Sequence, residues 1–138
     1  MENNYTVIDK VRQDSSEATA YRRQIAALAA LGLIDFSLIT LFQLGYIKKL
    51  PDIPHKLFDN QKVNTSEEAV LFGIPDGVVS LSGYTATMAL AVAATRFKKP
   101  SRILDVAMGG VLLGQAFGAG QYLVNMTTVQ KRACIYCI

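Results

Sequence analysis

Two cysteines, Cys134 and Cys137, stand in the stretch KRACIYCI, and they are the only cysteines among the 138 residues. A Cys-x-x-Cys pair can cycle between dithiol and disulfide, because a thiolate on one sulfur can attack and the other is within reach. The neighbouring cations Lys131 and Arg132 are expected to favour a thiolate at Cys134. If Cys134 also begins a helix, the helix dipole adds to that effect. Other readings have to be weighed. Half of a zinc site needs two further ligands, and only His55 is a good candidate, so no metal is expected. A c-type haem needs His directly after the second cysteine; position 138 is Ile, which excludes it. A passive structural disulfide or two idle thiols stays open.

The elements that must position this pair are apolar. Hydrophobic residues make up 51% of the chain, and they concentrate in three runs with polar residues gathered between them. That distribution belongs to a membrane protein. The first run, residues 24–46, is long enough to cross a hydrocarbon core as a helix, and too long and too late for a cleaved signal peptide. The second covers residues 71–95, with Pro75 in its first turns, where a missing N–H is tolerated. The third covers residues 103–124, with Asp105 suited to a helix N-terminus. The expected fold is all-α: an integral membrane helical bundle with three transmembrane helices and the start of a fourth at the CxxC. Residues 1–23 are expected to be a polar tail, either disordered or with a short amphipathic turn through Val7, Ile8 and Val11. Residues 24–138 are expected to form the transmembrane domain. The loop 47–70 contains Thr65-Ser66-Glu67-Glu68, the spacing of a capping box, which predicts a short helix leading into the second span.

Charge sets the sidedness. The turn 96–102 holds Arg96, Lys98, Lys99 and Arg102 and no acid, and such short loops stay in the cytoplasm. With three spans, Arg22 and Arg23 fall on the same side. The loop 47–70 balances four lysines against four acids and falls outside, together with Cys134 and Cys137. In a bacterium the expected location is therefore the inner membrane, multi-pass, with the N-terminus cytoplasmic and the CxxC on the periplasmic face, where disulfide chemistry is permitted. There a CxxC beside a lipid-soluble pool of electron carriers can pass electrons between protein thiols and quinones. The net charge of +3 comes without a basic stripe or a binding motif, so no nucleic-acid partner is expected. Gly110, Gly114 and Gly118 fall on one face of the third run, a spacing that suits close helix packing in lipid. Asp35, mid-span, is expected to face the interior, because an unpaired carboxylate in lipid is costly.

Together, Asp35 in the first span, the loop ending in NTSEEAVLFGIP, the Gly83-Tyr84 pair and the terminal CIYC resemble the vitamin K epoxide reductase family. The resemblance covers roughly residues 24–138 and includes bacterial members that couple quinones to disulfide formation. It implies a four-helix membrane bundle around a quinone site near the external face, with quinone as substrate or electron acceptor. Cys137 would then face the quinone, and Cys134 would exchange with a partner such as a periplasmic thioredoxin-like protein. Ser66 matches the loop serine that helps close the site, and Asp76 lies near a position that can contact the quinone oxygen. Tyr84 becomes a core or quinone-shelf aromatic. Two departures stand out. The loop lacks the family's second cysteine pair, with Val63 about where one is expected, so a thiol partner would have to reach Cys134 directly. The fourth helix normally continues from the CxxC, whereas this sequence stops at Ile138, so the chain is a fragment or another chain supplies that wall. The competing expectation is a catalytically degenerate relative: a helical subunit with a structural role among other subunits of a larger membrane complex.

Overall fold

The structure is a computed structural model and describes residues 5–95 and 101–137. Three long helices dominate it: α2 (Glu17–Gln43), α4 (Asp76–Ala94) and α5 (Arg102–Asn125). A shorter helix, α1 (Tyr5–Gln13), occupies the polar tail, and α3 (Asn60–Asn64) lies in the loop between the first two spans. All three long helices are long and apolar enough to cross a membrane. At 1.5 Å per residue, the 27 residues of α2 reach about 40 Å. Their apolar side chains point outward: Leu28, Leu31 and Ile34 of α2 are each about 65% exposed, and Val106, Leu113 and Phe117 of α5 are exposed too. In water such a surface would drive association; against lipid it is the expected face. The cationic residues Arg96, Lys98 and Lys99, which set the expected sidedness, lie outside the described residues.

The first helix begins seven residues before the apolar run, because Ser16 caps it: its Oγ accepts from Thr19 N at 3.4 Å. It ends at Gln43, and Gly45 at φ +81° turns the chain away, although the apolar run continues to Tyr46. Ahead of the second span the expected helix is replaced. Glu67–Ala69 makes one 3₁₀ turn, and a two-stranded hairpin follows, pairing Val70 with Pro75 and Leu71 with Ile74. Phe72 (φ 53°) and Gly73 (φ 79°) form its tip with both residues in the left-handed region, the turn that matches strand twist. The capping box does not close: Thr65 donates its Oγ1–H back to Gln61 O at 2.8 Å, and Ser66, which precedes the turn, makes no side-chain cap and donates its Oγ–H to Val63 O at 2.8 Å. The second span therefore starts at Asp76.

Helices α2 and α4 pack most closely. Gly32 makes this possible: a Cβ there would stand 2.5 Å from Tyr84 Cε1. Tyr84 in turn stacks on Phe36, with ring centroids 5.4 Å apart. Helix α5 is held mainly by polar ties. Gln115 Nε2 donates to Thr87 Oγ1 at 3.0 Å, joining α5 to α4. At the opposite end from the CxxC, Arg22 Nη2 meets Asp105 Oδ1 at 3.3 Å, and Arg22 Nη1 donates to Ala94 O at 3.1 Å. One buried guanidinium thus joins the start of α5 to the end of α4.

Candidate thiol site

The segment after α5 is bent back over the open end of the bundle. Residues Met126–Gln130 form a π-helical turn, and Lys131 (φ 50°) breaks it in the left-handed conformation. Beyond it the chain runs beside the loop between the first two spans. Ala133 N donates to Leu57 O at 2.7 Å, and Asp59 N donates to Ala133 O at 3.1 Å. Asn60 extends the pairing: its Oδ1 accepts from Ile135 N at 2.9 Å, and its Nδ2 donates to Pro51 O at 2.8 Å. Asn60 is fully buried, so this side chain replaces water for two strands of loop at once. Residues 134–137 then close a single turn through Cys137 N and Cys134 O at 3.3 Å.

Both cysteines are free, and their sulfurs lie 2.7 Å apart, with Cys137 Sγ donating to Cys134 Sγ. A disulfide would need them to close by only ~0.7 Å. The environments of the two sulfurs differ sharply. Cys134 is 0% exposed, packed against Val63 of α3 and Met126. Asn64 Nδ2 also donates to Cys134 Sγ at 3.3 Å. Cys137 is half-buried and lines a cavity of about 1110 Å³ between α2, α4 and α5.

The charges follow this geometry. The hydrogen bond from Cys137 holds the Cys134 thiol below its ordinary range, with smaller help from Asn64 and from the backbone N–H groups of Tyr136 and Cys137. Cys137 is pushed far up, because it donates to Cys134 and would place a second negative charge beside the first. The expected source of this asymmetry was different. Lys131 and Arg132 are both exposed, and the Arg132 guanidinium bonds to Lys56 O. Neither cation contributes to the shift at Cys134.

The cavity gathers some of the residues singled out from sequence and not others. Tyr84 and Asp35 line it together with Gly114, Gly118 and Cys137. Asp76 does not: it is buried and accepts from Gln43 Nε2 at 2.5 Å. Ser66 does not line it either; its Oγ accepts from Gln130 Nε2 at 2.8 Å and so ties the loop to the π-helical turn. At Gly110, Gly114 and Gly118 a Cβ would meet nothing within 4 Å, so among the described residues no close helix contact uses that face. The tight approaches occur at Gly32 and Gly77, where a Cβ would stand 2.6 Å from Gln43 Oε1. Tyr122, which sequence reading passed over, lines the cavity with its hydroxyl buried and without a hydrogen-bond partner among the described residues. Asn60, Asn64 and Gln43 were also passed over; single amides in a polar loop carry no periodic signal.

The model of the vitamin K epoxide reductase family matches residues 23–138, most of the chain. No curated protein and no solved structure matches the chain.

Proposed function

Since the chain belongs to the vitamin K epoxide reductase family, we propose that it is a membrane thiol–disulfide oxidoreductase that moves electrons between Cys134–Cys137 and a quinone. One observation carries this reading: two free sulfurs 2.7 Å apart, one sealed under the loop and the other on the wall of a cavity of about 1110 Å³. That volume suits a quinone ring and part of its tail. Apolar walls from Phe36, Tyr84 and Val111 suit the ring.

In the oxidising direction, a sulfur–sulfur bond forms between Cys134 and Cys137, and two protons and two electrons leave. A quinone accepts both and becomes the hydroquinone. To reset the pair, a thiolate of a partner dithiol attacks the disulfide and forms a mixed disulfide. The partner's second thiolate resolves it, leaving the partner oxidised and the CxxC reduced. A thioredoxin-like protein on the external face fits this role. Since Cys134 is closed to solvent, exchange there goes with displacement of α3. The reading also keeps the CxxC external and the N-terminus cytoplasmic.

Mass-tagging of the cysteines with maleimide in intact cells tests it. The pair is expected to be oxidised, and to become reduced when quinone synthesis is blocked. Cys137→Ser is expected to abolish quinone-dependent thiol oxidation. A pair whose redox state ignores quinone depletion would remove the enzyme reading and favour a structural subunit.

A further inference from the structure

Asn64 touches both sulfurs with opposite ends of one amide. Its Nδ2 is 3.3 Å from Cys134 Sγ, and its Oδ1 lies 4.0 Å from Cys137 Sγ, whose single S–H donates to Cys134 at 2.7 Å. The orientation of the amide is fixed from outside the pair. Nδ2 also donates to Asn60 O at 2.7 Å, and a carbonyl there accepts only a donor. The Asn64 side chain is 3% exposed, so water does not compete for either end. Its backbone is held as well, since Asn64 O accepts from Gln43 Nε2 at 3.2 Å. Among the described residues no cation substitutes for it, since Lys131 and Arg132 are exposed. Among the described residues, Asn64 is the one side-chain N–H donor onto Cys134.

A pair of sulfurs in contact holds one proton between them when one is ionised. A donor facing Cys134 and an acceptor facing Cys137 fit only one distribution of that proton. We propose that Asn64 is a positioning residue that sets the protonation order of the cysteine pair, with the thiolate on Cys134 and the proton on Cys137. This deepens the thiol-exchange reading and rests on it for its significance. Cys134 then carries the negative charge of the reduced pair on the loop side. Cys137 keeps an S–H whose proton leaves toward the cavity, where a quinone oxygen takes up protons. The reverse distribution would set N–H against S–H and carbonyl against thiolate.

The test uses the full chain, reduced, in detergent micelles, with the cysteines ¹³Cβ-labelled and followed by NMR against pH. Chemical shifts report protonation whether or not a sulfur is accessible. The wild type is expected to show Cys134 titrating first, with Cys137 protonated throughout. In Asn64→Ser and in the near-isosteric Asn64→Asp, the Cys134 midpoint is expected to rise by about one pH unit, a tenfold fall in thiolate at fixed pH. A staple without electrostatic purpose would lower Tm and leave the midpoint in place, and that result overturns the proposal. If neither variant folds, the wild type still decides, because Cys137 titrating before Cys134 also overturns it. Neither measurement contains quinone or partner. Absence of quinone turnover alongside a shifted midpoint therefore sinks the enzyme reading alone, and turnover with an unmoved midpoint sinks this inference alone.

Discussion

A Cβ placed on Gly32 would stand 2.5 Å from Cε1, 2.6 Å from Cδ1 and 2.8 Å from Cζ of Tyr84. Non-bonded carbons rest at about 3.5–4.0 Å, so Gly32→Ala forces the ring back by about 1 Å. The ring is not free to go, because Phe36 stacks on it at a centroid distance of 5.4 Å and an interplanar angle of 28°. Overpacking of this kind costs about 1–3 kcal/mol. For a chain of this size that corresponds to a fall in Tm of roughly 3–10 °C. The control is Gly114→Ala, where the added methyl meets nothing within 4 Å of this chain and the change is expected to stay within about 0.5 kcal/mol. Circular-dichroism melts in lipid nanodiscs compare the two. Equal melts for Gly32→Ala and wild type would refute the close approach of α2 and α4. An equal loss in Gly114→Ala would refute the open face of α5.

Three further outcomes follow from the same structure. Because Cys134 is held low and Cys137 is held high, raising the pH is expected to ionise Cys134 first and leave Cys137 protonated. Thiolate absorbance of the reduced protein should then rise by one equivalent, with its onset below the ordinary thiol range; two equivalents would contradict the sulfur contact. Arg22→Met removes the bonds to Asp105 and Ala94 O, with an expected cost of about 1–2 kcal/mol. Reverting the charge loss with Arg22→Lys should recover only part of it, since an ammonium lacks the fork that reaches both groups. Gly77→Ala drives a methyl to 2.6 Å from Gln43 Oε1 and displaces a side chain that holds both Asp76 and Asn64. It is expected to destabilise by about 1–3 kcal/mol and to disturb the Cys134 titration as well. A lower Tm with an unchanged titration would show that Gln43 does not support Asn64.

The three spans were legible because hydrophobic length is a strong signal in a chain that must satisfy its backbone within lipid. Their ends were less so. Ser16 pulls the first helix out to Glu17, well before the apolar residues start, and caps are read only weakly beside polar tails. The hairpin at Val70–Pro75 was hidden because apolar residues continue through it into α4, and only Phe72-Gly73 turns the backbone. At the site, the CxxC was legible from residue type alone. What surrounds it was not: the cations beside it in sequence point to solvent, while Asn60 and Asn64 arrive from seventy or more residues away. Sequence neighbours are poor guides to a site assembled by a loop folding back. The family resemblance supplied the membrane bundle and singled out the cysteine pair, and it did not supply the amides.

The way α5 is suspended has a mechanical consequence. Arg22 pins its start through Asp105, Gln115 ties its middle to α4 at Thr87, and Gln130 moors the turn beyond its end to Ser66. None of its residues is buried, and beyond the pin at its start, which comes from Arg22 of α2, no side-chain hydrogen bond among the described residues fastens it to α2. A rod pinned at its start and tied along one edge swings more easily than it slides, so away from that pin the seam facing α2 is the compliant side of the bundle. A hydrophobic carrier diffusing in the plane of the bilayer would meet that seam edge-on. Entry from the lipid flank would then leave the aqueous cap over Cys134 shut, and the two reactants would never share a doorway.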